Sequence, residues 1–588
     1  MQIHELKWSS LLSEFRMSNE DDFNDGISLK QVNDERSAFK RDFDTICNCS
    51  SLRRLQDKAQ VFPLEKNDFS RTRLTHSLEV MSIAEALGED VVRIVKRRTV
   101  DLEMTKNIDD IPVILKCAAL IHDIGNPPFG HISEGLISEW FDKYKDKLHF
   151  VNDLLTIEDL NTVPKNKLIS MVSEQMYNDF TKFDGNAQVL RIVTKLQNSV
   201  SSKGLNLTFP VLATIIKYPN EYIVKSKGIK NNQEMKQGKK GIHEIKTKKG
   251  YFTSELDIYE KIQKELGLMH KRHPLTFILE ASDDIAYLLS DIEDAYKKGL
   301  VTIHDIVEEI DKKLRKPSNQ GVDCLLDVKA KIEHFKNLAI QKNINDTNTY
   351  VLQRMKIHAK GLFLSEVKKA FEFYYYDIMS GQYDNELLES KNITLLTRLF
   401  RDLLENKVYY SKEIVATKLQ ACQVINSLIP IFMKASFNYN EKKQGHSDDF
   451  HSLAYKLISQ NYRDYCIKSI EKIKIEYYER KNEIDDKYIR RIYPIKALIN
   501  EQYQSHDIEK GNKLRANITE SEKKRIISEY DMLLNSIKLE FQNELDEAYK
   551  EMDKEKQQNV EFKEQRIILC KVQLAIDHIC GMTDSYAL

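Results

Sequence analysis

The sequence predicts an all-α protein, and two observations carry that expectation. Glycine and proline together supply only 30 of 588 residues, about 5% against a usual ~12%, too few for the turn-dense β-sandwich, propeller or glycine-looped dinucleotide folds. Apolar positions return at three- and four-residue steps through most of the chain, the period of a helix with one buried face. The length gives a soft expectation of about four domains, and 41% hydrophobic with 30% charged residues is enough to bury a core. The 89 basic side chains against 90 acidic ones exclude a protein that is basic throughout while leaving room for a local basic patch.

No stretch approaches ~18 uncharged apolar residues, so no membrane span is expected. The start, Met1 to Ser10, has no apolar signal-peptide run, which points to a cytoplasmic protein. The eight cysteines form no CxxC pair and read as reduced thiols rather than a disulfide frame.

Taken in order, residues 1–49 form an N-terminal extension, and helical periodicity then marks 71–98, 111–124, 131–144, 186–200, 254–268 and 275–298. Between the last two pairs, Glu221 to Lys249 carries nine lysines against three glutamates with three glycines interspersed. This is an exposed excursion by composition, and a lysine-rich loop of this kind gains attraction to phosphates or nucleic acid. Beyond residue 300 come long, charge-rich segments of the same period: 363–380, 394–406, 412–435, 451–475, 519–539 and 540–566.

Three segments carry chemistry. In the helix after Arg71-Thr72-Arg73, His76 shares a face with Val80, Ile83 and Leu87; a lone histidine there is more often a core residue than a ligand. The segment Ile111 to Gly125 is apolar on nearly all sides, which places it mid-bundle, and ends on His122-Asp123 before Gly125, Pro127 and Pro128 stop it. An ionised aspartate closing a buried helix is unfavourable unless something positive answers it; a plain solvated terminus is the alternative. In Leu275 to Ala295 the stripe Ile278, Ala281, Ile285, Leu288, Ile292 packs inward. Asp283, Tyr287 and Asp291 recur at four-residue steps on the other side, drifting about 40° each time. A merely solvated acidic face would look the same. Together, however, the three helices supply two imidazoles and two carboxylates. That set suits a divalent ion: Mg²⁺ or Mn²⁺ first, with Co²⁺, Fe²⁺, Ni²⁺ or Zn²⁺ also compatible.

At this point the sequence resembles the HD-domain metal-dependent phosphohydrolases, and within them the bacterial deoxyguanosine triphosphate triphosphohydrolases (dGTPases). The matching stretches are RRLQDKAQVFPL (53–64), RTRLTHSLEV (71–80), HDIGNPPFGHISEG (122–135), FDGNAQVLRIVT (183–194), KYP (217–219), GYFTSE (250–255), LEASDDIAYLLSDIEDA (279–295) and the end IDHICGMTDSYAL (576–588). The likeness is dense from about 50 to 300 and at the last dozen residues, and thin between 300 and 570.

The resemblance implies an HD core over 50–300 and a helical region over 301–588 that returns to it. It implies one divalent metal per subunit, held by His76, His122, Asp123 and Asp283, and a catalytic pair His131 and Glu134. Gln60, Arg73, Lys217, Tyr218, Tyr287 and Asp291 match positions that hold nucleotide phosphate, sugar or base, while Asn186 and Gln188 shape the pocket. The implied reaction is hydrolysis of dGTP, or other dNTPs, to deoxynucleoside and inorganic triphosphate, by a homo-oligomer (a hexamer in the family) in which single-stranded DNA is a possible partner. Two alternatives stand beside it: an HD phosphohydrolase acting on another nucleotide phosphoester, and single-stranded nucleic-acid binding by the lysine-rich and C-terminal regions.

Overall fold

A computed structural model describes residues 5–17, 35–64, 69–98, 106–144, 148–151, 154–157, 174–197, 204–219, 250–315, 321–390, 392–438, 450–515 and 519–588. The lysine-rich excursion at 221–249 lies outside them. The most apolar segment becomes the centre of the bundle: α1 (Ile111–Ile121) buries Ile111, Ile114, Leu115 and every residue from Cys117 to Ile121. On it packs the helix before it in sequence, Arg73–Arg98, which buries Val80, Ile83, Ala84, Leu87, Val91 and Ile94. Next come α2 (His131–Tyr144), α3 (Gly185–Arg191) and α4 (Pro274–Lys297), the last packed on both Arg73–Arg98 and α1.

The all-α expectation is met; among the described residues the only strands are Leu148–Val151 and Leu154–Ile157, paired as one antiparallel hairpin. The helix expected over 186–200 is shorter and ends as a wide turn at Ile192–Leu196.

Beyond residue 300 the elements are longer and more numerous than the sequence periods suggest. Helices Ile303–Leu314 and Val322–Gln341 precede α5 (Thr347–Phe373), which starts well before 363. After α6 (Thr394–Leu403) and α7 (Lys412–Asn438) come α8 (Gln460–Leu514) and α9 (Glu520–Gly581). The two segments expected at 519–539 and 540–566 are one continuous helix, since no glycine or proline separates them. α8 and α9 pair along their length, and away from the main core Ile484, Tyr488, Ile492 and Ile495 meet Leu545 and Ala548 in a small cluster of their own. By length and composition α7 is apolar enough to cross a membrane, its best window having mean hydropathy 1.3. Here its row Ala421, Ile425, Ile429 and Met433 is buried, and the helix packs against α9 and α2.

The last turns of α9 are sewn into the first bundle by charge. Arg191 donates from Nε and Nη2 to the Asp577 carboxylate at 2.8 and 2.7 Å and from Nη1 to Glu255 at 3.0 Å, and Gln188 Nε2 adds a bond to Asp577 at 2.9 Å. Arg191 and Asp577 are 2% exposed or less. Removing one member of such a pair strands a buried charge, so Asp577→Ala should cost about 3–5 kcal/mol in chemical denaturation; a loss under about 1 kcal/mol would show that this junction contributes little.

Candidate metal centre and active site

Arg71 sets the register of the first ligand. Its backbone N–H donates to Asp294 of α4 at 3.1 Å, and its guanidinium grips Glu79 (3.0 Å), Glu293 (2.5 Å) and Asp294. The helix that begins two residues later is thereby pinned to α4, so His76 in its first turn lies opposite Asp283. His76 Nε2 is 3.0 Å from Asp283 Oδ1.

α1 delivers the other pair at its C-terminal end. His122 Nδ1 lies 2.7 Å from the Ala119 carbonyl, a contact only an N–H can satisfy, so Nε2 is the nitrogen turned to the acids. That Nε2 is buried and has no hydrogen-bond partner among the described residues; it faces Asp283 Oδ1 at 3.5 Å and Asp123 Oδ1 at 3.7 Å. Donor atoms of His76, His122 and Asp123 all lie within 4.8 Å of one another. An orphaned imidazole nitrogen, a second imidazole and two carboxylate oxygens at these separations fit one shared divalent ion, with the Ala119 contact orienting the His122 ring.

The electrostatics agree. Burial works against the His122 cation, yet Asp123 and Asp283 push its pKa up to about 9. Asp123 is held well below the usual carboxylate range despite burial, by Arg73 first and then the two histidines, and Asp283 likewise by His122 and His76. The pocket is a field for positive charge. Part of the answer to Asp123 is a protein group that the sequence does not assign to it: Arg73, 3% exposed, donates from Nη1 to Asp123 Oδ2 at 2.6 Å, while its Nε finds no partner among the described residues.

Arg73 also shapes the loop after the ligands. A Cβ at Gly130 (φ +62°) would lie 2.3 Å from Arg73 Nη2, so a side chain there would strain the left-handed turn and push the guanidinium aside. Phe129 before it also takes a left-handed φ of 63°, and its N–H donates to Asp584 Oδ1 at 2.9 Å. The loop therefore releases His131 onto the surface at the head of α2. The His131 side chain is 78% exposed, its Nδ1 2.8 Å from Glu134 Oε2, and the Glu134 carboxylate raises its pKa. Glu134 is itself held by the Gly185 N–H at 2.9 Å.

The remaining candidates are placed as follows. Gln60 keeps a buried Oε1 without a partner among the described residues. Lys217 pairs with Glu280 at 3.0 Å, one turn before Asp283, and burial notwithstanding Glu280 holds it cationic well above its ordinary range. Tyr218 accepts a backbone bond from Gly250 at 2.9 Å. The Tyr287 hydroxyl accepts from Arg401 Nε at 3.1 Å, and Arg401 Nη2 reaches Asp284 at 3.2 Å. Asn186 bonds Asp184 at the head of α3, and Gln188 is turned to Asp577. Asp291 does not join the metal group: two turns along α4, ~12 Å away, its carboxyl is buried between Tyr409 (3.3 Å) and Ser290 (3.3 Å) and pushed up to about 8 by burial. Arg401, Tyr409 and Asp584 were not legible as site residues, because each acts through a partner more than a hundred positions away.

Comparison with known proteins gives an HD domain over residues 73–196. A deoxyguanosinetriphosphate triphosphohydrolase-like protein of Listeria innocua is 36% identical over 78% of this chain and 90% of its own length. A protein of the same description from Synechocystis is 28% identical over 75% and 89%. A deoxyguanosinetriphosphate triphosphohydrolase of Serratia proteamaculans is 28% identical over 70% and 79%. The HD domain implies divalent-metal binding.

If the four donors share an ion, Mn²⁺ at 100-fold over its Kd should stabilise the metal-stripped protein by about 2.7 kcal/mol. His122→Ala and Asp283→Ala should lose that increment in a thermal-shift titration. An unchanged increment in both variants would move the metal elsewhere.

Proposed function

The chain belongs to the deoxyguanosinetriphosphate triphosphohydrolase family and is a hydrolase; from that premise we propose that it hydrolyses dGTP, and other dNTPs with it, to deoxynucleoside and inorganic triphosphate. The observation that supports this best is the convergence of His76, His122, Asp123 and Asp283 donors beside Arg73, with His131–Glu134 in the first turn of the helix that follows.

His76, His122, Asp123 and Asp283 would hold one Mg²⁺ or Mn²⁺ per subunit, which when bound supplies Lewis-acid polarisation of an α-phosphate oxygen. Arg73 keeps Asp123 ionised and leaves its Nε free for a phosphate oxygen. Lys217, cationic beside Glu280, meets the β- and γ-phosphates together with Tyr218. Water attacks the α-phosphorus, its oxygen staying on the triphosphate and its released proton passing to solvent, and the bond to the 5′ oxygen breaks. His131, held at Nδ1 by Glu134, gives its Nε2 proton to that departing oxygen. The Tyr287 ring, fixed through its hydroxyl by Arg401, packs on the deoxyribose where a 2′ hydroxyl would collide. Gln60 offers its unpaired carbonyl oxygen to the nucleotide, and Asp291, spent on Tyr409, supports the wall. The same proposal takes residues 50–300 as the catalytic unit and the active form as a cytoplasmic homo-oligomer.

Incubation with each dNTP and Mg²⁺ or Mn²⁺, followed by chromatography, should yield deoxynucleoside and free triphosphate; pyrophosphate or orthophosphate as the product would reject the reading. His131→Ala should lower turnover by about 10²–10⁴ with metal still bound. Because Glu134 raises the His131 pKa, the imidazolium persists to higher pH and activity falls only as pH climbs through that raised value. Glu134→Gln should therefore shift the basic limb of the pH–rate profile to lower pH. A limb that stays in place would separate Glu134 from the proton transfer.

A further inference from the structure

Between Arg73–Arg98, α4 and α5 a cleft of about 380 Å³ opens, a size at which small organic ligands bind. Its floor is apolar and deeply buried: Ile83, Ile285, Ala286 and Leu289 are each 5% exposed or less. Leu78 and Ile357 stand at its mouth, 45% and 63% exposed, so the apolar surface continues outward.

The charged groups in the cleft are unevenly paired. Glu79 is bound by Arg71 at 3.0 Å, and Lys356 is bound by Glu293. Lys360 also lines the cleft, half-buried, yet has no hydrogen bond or ion pair among the described residues. Burial lowers the pKa of its ammonium, the Glu79 charge opposes that shift and the neighbouring Lys356 adds to it. One cation therefore faces an apolar floor without an anion of its own.

We propose that this cleft binds a singly charged, largely apolar organic anion, its carboxylate on Lys360 and its hydrocarbon on Ile83, Ile285, Ala286 and Leu289. A nucleotide fits less well: no aromatic ring lines the cleft for a base to stack on, and a single free lysine beside Glu79 cannot neutralise a polyphosphate. The ligand class is thus distinct from that proposed for the metal centre. It would rest against the two helices that carry His76 and Asp283.

The test titrates decanoate below its micellar concentration into the metal-loaded full-length protein by calorimetry, with decan-1-ol and decyltrimethylammonium as controls. Decanoate should bind more tightly than either control. Lys360→Ala should weaken decanoate by about tenfold to a hundredfold, the worth of one charge-assisted hydrogen bond, while leaving decan-1-ol unchanged. Ser82→Phe, an exposed position on the cleft wall, should block both by filling the space. Equal binding to wild type and Lys360→Ala, or equal binding of the cationic control, would overturn the proposal. So would an absence of decanoate binding, including the case in which a second copy of this chain covers the cleft in an oligomer that Ile357→Arg dissociates.

Discussion

Two carboxylates that must ionise inside one bundle govern the catalytic half of this protein. Asp123 and Asp283 both approach His122 Nε2, at 3.7 and 3.5 Å, and like charges that close are tolerable only where positive charge answers them. The protein supplies the Arg73 guanidinium to Asp123 and a His76 Nε2 contact to Asp283, and the group as a whole leaves a place for a cation. Each later feature of the site follows from that arrangement. Arg73 must lie beneath the loop to reach Asp123; its guanidinium would be pushed aside by a side chain at residue 130; and the left-handed turn at Phe129–Gly130 sets the direction in which His131 emerges. A substitution at Gly130 would thus act through Arg73 on both the His76–His122–Asp123 group and the His131–Glu134 pair.

A left-handed phenylalanine is a strained residue, and the end of the chain holds it in place. The Asp584 carboxylate accepts from the Phe129 N–H and from the Ala59 N–H, each at 2.9 Å. Lys58 Nζ donates to the carbonyls of Asn126 and Cys580 at 2.5 and 2.7 Å. The segment carrying Gln60, the loop carrying His131 and the last turn of α9 are thereby tied at one point. Desolvation pulls the Lys58 ammonium to about 8, so this knot draws on the charge of Asp584 as well as on its hydrogen bonds. Together with Asp577 on Arg191 it makes the final dozen residues part of the catalytic framework rather than a tail.

How much of this the sequence disclosed depends on the range of the interaction. His76, His122–Asp123 and Asp283 were legible because the stretches that carry them resemble a known family; helical spacing alone leaves a core histidine and a solvated acidic face open. The His131–Glu134 contact spans three residues and needs only a helix to form. Arg401 gives no such sign: its own helix explains it as one more exposed arginine, and only the packing of α6 on α4 brings it to Tyr287 and Asp284. Asp291 is the converse case. Its spacing from Asp283 and Tyr287 is regular, but Tyr409 occupies its carboxyl. The continuity of α8 and α9 escaped the periodic reading because long charged helices show weak apolar stripes, and their stability comes from pairing with each other.

Arg401 shows how labour is divided between the two halves of the chain. It bonds the Tyr287 hydroxyl and pairs with Asp284, Glu386 and Glu389 at 3.0–3.2 Å. Two of those carboxylates belong to the stretch around residue 387, and a third to α4 beside the metal group. Burial with Glu386 nearby drives the Asp284 pKa well up, and Arg401 opposes that shift. A guanidinium shared among three acids is sensitive to each of them, so a change at Glu386 or Glu389 alters the orientation of Tyr287 without touching a metal ligand. In the reading argued above, the HD helices fix the chemistry at the phosphorus. The wall against the sugar is set by residues from beyond position 380, the part of the chain whose sequence announces no function.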